Sequence, residues 1–139
     1  MGKVTNFLDR IDSFTGKNRR HNRALRDVTE FSAAIQEFLA RYNLPEESSS
    51  FDTLLKNAGL AKFDLTAIAY RGHTLDRTAR RIKGAQISPL IKGIISDLED
   101  VRRALITPNL GSAVLGKVIP KLGQSLRELQ NAISGIEYK

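Results

Sequence analysis

The apolar positions of this chain recur every three or four residues, and this spacing predicts α-helices along most of its length. No stretch alternates apolar and polar residues with the two-residue period of a β-strand. The predicted helices cover residues 4–14, 19–42, 51–58, 64–83, 89–106 and 112–134. We therefore expect an all-α protein.

The four longest predicted helices each carry one apolar stripe, and such stripes pack together in helical bundles. The sequence therefore predicts a four-helix bundle over residues 21–139, preceded by an N-terminal basic helical arm. Residues 1–20 form this arm, as an amphipathic helix and a basic link. Gly16 is expected to end the helix of the arm, and Asn18 to cap the helix that follows.

Further boundaries follow from capping residues. Asp64 is predicted to cap the start of the helix over residues 64–83, and Gly84 to close its end. Ser88 followed by Pro89 is typical of a helix start, with the serine as the N-cap and the proline in the first turn. Pro120 lies within an unbroken apolar stripe, so we expect a kink there and not a helix end.

The composition fits one cytoplasmic or virion domain. The chain has 139 residues, which suffice for an ordinary core, and it has no cysteine. No apolar run approaches the roughly 20 residues that span a bilayer, and the N-terminal segment carries acidic residues where a signal peptide would be apolar. The 22 basic and 15 acidic residues give a net charge of +7, which favours an anionic partner.

The charge is distributed in blocks along the chain. Residues 1–26 carry a net charge of +5 and residues 67–92 also carry +5. Residues 27–66 carry −4, and residues 93–139 carry +1. Two basic blocks therefore alternate with acidic or nearly neutral ones, and either could be a solvated face or a binding surface.

The predicted helix over residues 64–83 has one apolar face and one basic face. Its apolar stripe is formed by Leu65, Ile68, Leu75, Ala79 and Ile82. Its opposite face carries Tyr70, His73, Arg77, Arg80 and Arg81. The helix over residues 19–42 repeats the arrangement, with arginines in its first turns opposite its apolar stripe. We therefore expect one face of each helix to be in the core and the other to bind an anion.

These positions make nucleic acid the favoured partner, because arginine binds phosphate through several fixed donors and an aromatic ring can lie against a sugar or base. Double-stranded DNA is the most probable form. The candidate binding residues are Lys17, Arg19, Arg20, Arg23, Arg26, Tyr70, Arg71, His73, Arg77, Arg80, Arg81 and Lys83. With roughly seven phosphate contacts, the logarithm of the binding constant should fall by about 0.9 per contact for each tenfold rise in salt.

A helix-turn-helix regulator is an alternative interpretation of residues 54–70. Gly59 would form the turn, and apolar residues on both sides have about the spacing that packs a recognition helix. The groove contacts would then come from Lys62, Thr66, Ala67 and Arg71. Two features differ from the motif: Leu55 stands where a small residue is usual, and the second helix is three turns too long.

Catalysis has little support in this sequence. His21 and His73 lie on segments that are expected to face solvent, and there is neither a cysteine nor a pair of nucleophile and base. No metal-ligand spacing and no glycine-rich phosphate loop occurs. We therefore predict a protein that is not an enzyme and that has no cofactor, metal or small-molecule substrate.

The C-terminal predicted helix resembles membrane-active amphipathic peptides, because Lys117 and Lys121 border an aliphatic face. We expect this face to form the fourth wall of the bundle instead. A helical adapter or effector that binds an acidic protein or a membrane surface remains a second alternative.

A small, basic, cysteine-free helical chain with an arginine-bearing arm resembles the major coat proteins of filamentous archaeal DNA viruses. The resemblance covers the whole chain in architecture and involves no diagnostic motif. It implies a structural subunit of a virion that wraps double-stranded DNA in a helical filament, beside other copies of itself or a related coat chain. It also implies possible contact with a lipid envelope, and it assigns the DNA face to the two arginine clusters.

Overall fold

The computed structural model describes residues 2–44, 51–82, 86–107 and 111–138, without the side chains of residues 2–18 and 111–112. The described residues form five helices and no strand, so the all-α prediction is confirmed. The helices are α1 (Gly2–Arg41), α2 (Asp52–Lys56), α3 (Ala58–Ala79), α4 (Ser88–Ile106) and α5 (Gly111–Ser134). None of these helices is both long enough and apolar enough to span a membrane.

The first helix is continuous, which corrects two predictions. Helix α1 has 40 residues and passes through Gly16 and Asn18, so neither residue ends or caps a helix. A glycine inside a helix costs only about 1 kcal/mol relative to alanine, which a long helix tolerates. At 1.5 Å per residue, α1 is about 60 Å long. The predicted boundary between residues 20 and 21 lies within it.

Helix α3 packs against α1 in the antiparallel direction. Near the C-terminal end of α1, the Arg41 Nη1 donates to Oδ2 of Asp64 over 3.0 Å. Two to three turns further along α3, the Gly72 backbone faces the ring of Phe31. The N-terminal part of α1 therefore lies beside the C-terminal part of α3.

Helix α4 packs between α3 and α5. The Ser88 hydroxyl donates to Oδ1 of Asp76 over 2.5 Å, joining the start of α4 to α3. On its other side, α4 presents the buried Asp97, whose Oδ2 accepts from the Ser125 hydroxyl over 3.0 Å and whose Oδ1 lies 3.4 Å from the Lys121 Nζ. Helix α5 in turn contacts α1.

The core consists of the apolar stripes that the sequence predicts. The buried side chains of α3 include Leu65, Leu75 and Ala79, and Ile82 is buried just after this helix. The α1, α4 and α5 stripes are also buried, and together with α2 they form one continuous cluster. Helix α5 continues across Pro120, as predicted.

Two predicted helix starts are wrong. Helix α3 begins at Ala58 and not at Asp64, because residues 58–63 favour helix and Ala61 is buried in the core. Ser88 is the first residue of α4 and not its N-cap, since its hydroxyl donates to Asp76. Ile87 precedes the helix instead and is buried. Gly84 lies outside the described residues.

Candidate nucleic-acid interface

A ridge of arginines follows the exposed side of α1. Arg19, Arg23 and Arg26 are exposed and recur at intervals of four and three residues, which places them on one face of the helix. Leu25 and Val28 lie on the opposite side and are fully buried. Packing of the apolar side therefore points these three cationic side chains, the α1 ridge, into solvent.

One side of the ridge borders a cleft between α1 and α3, which we name the α1–α3 cleft. Its volume is about 350 Å³. It is lined by Arg19, Arg20, Arg23, Thr78 and Arg81. The antiparallel packing of the two helices thus brings together arginines from both basic blocks of the sequence. Arg23 and Arg81, for example, are nearly 60 residues apart in the sequence. Four guanidinium groups around one cleft suit an anion with several oxygens, such as a phosphate chain.

The other side of the ridge borders a second cleft of about 260 Å³, which we name the tail cleft. It is lined by Arg19, Asn22, Arg23, Arg26 and Tyr138. Tyr138 follows α5 in the C-terminal segment, and its side chain is 60% exposed. Arg19 and Arg23 contribute to both clefts, so the two clefts flank one ridge.

His21 fixes the C-terminal segment beside the ridge, and its position corrects the prediction that it faces solvent. Its side chain is fully buried, and its Nε2 lies 3.0 Å from the backbone oxygen of Glu137. Since a carbonyl oxygen can only accept, Nε2 carries the proton and donates it. The backbone N–H of Ile136 also donates to the carbonyl of Ile133 over 2.9 Å, continuing the turn after α5. Tyr138 is therefore adjacent to an anchored residue.

The remaining candidate residues lie apart from the two clefts. Arg77 in the last turn of α3 and Arg80 just after this helix are exposed, but they line neither cleft. His73 lies on the flank of α3 that faces α4, where its Nε2 is 3.3 Å from Oε1 of Glu99. The side chain of Lys17 and the whole of Lys83 lie outside the described residues.

The outer face of α3 changes from apolar to basic along its length. From its start to just past its midpoint it exposes apolar side chains at Leu60, Phe63 and Tyr70, with 55, 71 and 71% of their areas accessible. Two turns after Tyr70 the same face carries Arg77, followed by Arg81. Tyr70 and the neighbouring exposed Arg71 therefore lie with the apolar part of this face, about two turns from Thr78 of the α1–α3 cleft.

The geometry of residues 54–70 differs from a helix-turn-helix. Gly59, the expected turn residue, lies in the first turn of α3, and Asn57 alone separates α2 from α3. Helix α2 has only five residues. Lys62, Thr66 and Ala67 are exposed, as that interpretation requires.

The residues that the structure describes form no metal site. They contain no group of three or more histidine, aspartate or glutamate side chains that could hold a metal ion. A further groove between α1 and α3, near the far end of α1, includes Glu37, Arg41 and Asp64. There the Arg41 guanidinium pairs with both carboxylates, at 3.3 and 3.0 Å, so its positive charge is already compensated within this groove.

Sequence reasoning missed three residues of the clefts, Asn22, Thr78 and Tyr138. The sequence contains a signal for Asn22 and Thr78, because each is the immediate sequence neighbour of an arginine on an exposed face. Tyr138 has none, since its segment follows the last helix and meets α1 only through the tertiary fold. The burial of His21 was detectable, because it lies one heptad before the buried Val28.

No protein-family model matches this chain, and no similar curated protein or solved structure was found.

Proposed function

We propose that this protein is a non-enzymatic structural protein that binds double-stranded DNA largely independently of sequence. The observation that carries the proposal is the α1–α3 cleft, where Arg19, Arg20 and Arg23 of α1 meet Arg81 of the turn that follows α3. Arginines at a protein surface bind phosphates and release the counterions of DNA. The cleft's side chains are hydrogen-bond donors, and the Thr78 hydroxyl can also accept. Such donors suit phosphate oxygens, which are the same at every base pair.

We propose that the scaffold is an up-and-down four-helix bundle of α1, α3, α4 and α5, with the basic helical arm predicted for residues 1–20 extending from it. The antiparallel contacts of α1 with α3 and of α4 with both neighbours support this arrangement. Closure of the ring is supported by α5, where Gln130 Nε2 donates to Oε1 of Gln36 on α1 over 3.2 Å. Such a bundle holds the two arginine-bearing helix segments rigidly side by side.

We further propose that copies of the chain assemble along the DNA, as in the coat of a filamentous virion. The apolar half of α3 supports this, because Leu60, Phe63, Ala67 and Tyr70 follow the spacing of a coiled-coil seam and are exposed. The same helix face is basic at its other end. One helix could thus contact a neighbouring copy at Phe63 and DNA at Arg81.

The decisive experiment is titration of fluorescent random-sequence duplex DNA at 50 and 200 mM salt, with electron microscopy of the mixtures. We expect an affinity loss of roughly several thousandfold across this range, as about seven phosphate contacts predict, and regular filaments at saturation. Replacement of Arg20 and Arg81 by alanine should weaken binding strongly. Matched replacement of Arg102 and Arg103, exposed arginines of α4, should not.

Other outcomes of this experiment identify the alternatives. Preference for one DNA sequence, lost when Lys62, Thr66 and Arg71 are replaced by alanine, would favour the helix-turn-helix regulator. Absence of DNA binding even at 50 mM salt would overturn the proposal. Binding to anionic vesicles or an acidic protein would then favour the adapter.

A further inference from the structure

The arrangement of the two clefts on either side of the α1 ridge points to how DNA is bound. The α1–α3 cleft and the tail cleft share Arg19 and Arg23 and lie on opposite flanks of one helix. Arg20 and Arg81 both line the cleft on one flank, and Asn22 and Tyr138 both line the cleft on the other. A ligand that follows the ridge therefore meets a basic groove on each side.

We infer that the C-terminal segment is part of the interface, and that each of the two clefts receives the phosphates of one strand of a duplex. An α-helix with its side chains is about 10–12 Å across, and the major groove of B-DNA is about 12 Å wide. The α1 ridge thus has the width to enter the groove, with one phosphate chain along each flank. This inference rests on the proposed duplex binding and assigns its geometry.

Tyr138 has a defined role in this arrangement. In a duplex the bases are paired and stacked, so the exposed phenol meets the backbone and not a base face. Its hydroxyl is a donor that can bind a phosphate oxygen beside the arginines. His21 is the positioning residue of this cleft, because its hydrogen bond to the Glu137 carbonyl fixes the segment immediately before Tyr138.

Single-stranded DNA provides the comparison that isolates the tail cleft. One strand needs only one cleft, and the α1–α3 cleft has the larger number of arginines. Tyr138→Ala should therefore weaken duplex binding by about tenfold, as expected for loss of a hydrogen bond to a charged group. The same variant should change single-strand binding by less than twofold. Arg20→Ala should weaken the binding of both forms.

The experiment measures the anisotropy of labelled 30-mer duplexes and single strands with the full chain at 100 mM salt. Tyr138→Phe keeps the ring and removes the donor, so it should match Tyr138→Ala. Ser96→Ala serves as the control, because it removes an exposed hydroxyl from α4, which lines neither cleft. Circular dichroism and thermal melting check that every variant folds.

Each result has a definite meaning. A duplex-specific loss in both Tyr138 variants supports the two-strand arrangement. Equal losses for duplex and single strand, wild-type affinity in Tyr138→Ala, or full affinity in Tyr138→Phe would overturn it while leaving the proposed function intact. If the wild-type protein binds neither form, the proposed function itself fails.

Discussion

The Tyr42 hydroxyl donates a 2.7 Å hydrogen bond to Oδ2 of Asp64, and the same oxygen accepts from the Arg41 guanidinium at 3.0 Å. These contacts join the end of α1 to the first third of α3. Burial raises the pKa of Tyr42 above its usual value, and the hydrogen bond to Asp64 and its negative charge raise it further. The nearby Asp64 charge also raises the pKa of Arg41, with Glu37 adding to it. Helix α3 is thereby held at the end opposite the arginine clefts.

The hydrogen bond between Tyr42 and Asp64 predicts a pH-dependent contribution to stability. Tyr42→Phe removes a hydrogen bond to a charged acceptor and should lower the free energy of unfolding by about 1 to 2 kcal/mol at pH 8. The folded state keeps Tyr42 protonated at a pH where the unfolded chain, with a tyrosine pKa of about 10, releases the proton. The contribution is therefore present below pH 10 and is lost as the pH rises through the higher folded pKa.

Urea denaturation of wild type and Tyr42→Phe at pH 8, 10 and 11 would measure this effect. The difference between the two proteins should shrink at the highest pH, and taking the difference cancels the titration of other groups common to both. A difference that is constant from pH 8 to 11 would contradict the pKa shift. Tyr70→Phe, at an exposed position, should have little effect at any pH.

A second prediction concerns the close approach of three helices at Gly72. A Cβ atom there would lie 2.8 Å from Cγ1 of Ile95 and 3.1 Å from Cε1 of Phe31, both buried side chains. Overpacking of this kind costs about 1 to 3 kcal/mol, against a gain of nearly 1 kcal/mol in helix propensity. We therefore expect Gly72→Ala to destabilise the protein by about 1 kcal/mol.

Gly93→Ala is the matched control for this prediction. Gly93 lies within α4, and a Cβ atom there would have no neighbour within 4 Å. Only the propensity gain remains, so this variant should be more stable than wild type by about 0.5 to 1 kcal/mol. Thermal melting of both variants would test the pair, and equal shifts in the same direction would show that Gly72 is not tightly packed.

The contact between Ser125 and Asp97 gives a third prediction. Asp97 is buried between α4 and α5, and the Ser125 hydroxyl donates to its Oδ2 over 3.0 Å. Loss of a donor to a buried carboxylate costs about 1.5 to 3 kcal/mol. Ser125→Ala should therefore lower the urea midpoint clearly, whereas Ser96→Ala, at an exposed position of α4, should leave it nearly unchanged. Equal urea midpoints for the two variants would mean that the hydrogen bond from Ser125 to Asp97 contributes little to the free energy of unfolding.

The sequence was sufficient to predict the long helices and their buried faces, because each long apolar stripe must pack against another helix to be shielded from water. The stripes of α4 and α5 are buried essentially as predicted. The start of α3 was not predictable from local signals, since Asp64 has the chemistry of an N-cap. Its carboxylate binds Tyr42 and Arg41 instead, and only the packing of α1 on α3 creates those partners.

The candidate site was predictable only in part, for a similar reason. The arginine faces follow from helix periodicity, but their convergence depends on the antiparallel packing of α1 and α3. The cleft position of Tyr138 depends on a hydrogen bond between His21 and Glu137, which are 116 residues apart. Helix periodicity also grouped Tyr70 and His73 with the arginines, because it predicts the face on which a residue lies but not its distance along the helix axis from other residues.

A fourth prediction concerns the salt dependence of DNA binding. Each phosphate contact contributes about 0.9 to the slope of log K against log salt concentration. Arg81→Ala should therefore reduce the magnitude of the slope by about one unit, for random duplexes and for a repetitive sequence alike. Arg103→Ala, on α4 and partnered with Asp100 at 3.8 Å, should leave the slope unchanged. An affinity loss in Arg81→Ala without a change in slope would exclude a direct phosphate contact.

The last prediction separates assembly from DNA binding on the outer face of α3. Leu60 and Phe63 expose large apolar areas far from the arginine clefts, and burial of such groups between copies would be favourable. Phe63→Glu places a charge at the centre of that contact while leaving the core intact. We expect this variant to sediment as a monomer at concentrations where wild type self-associates, and to form no filaments with long DNA. It should still bind a 15-base-pair duplex, too short for neighbouring copies, with nearly wild-type affinity. If Phe63→Glu assembles normally, the contact between copies must lie elsewhere on the chain.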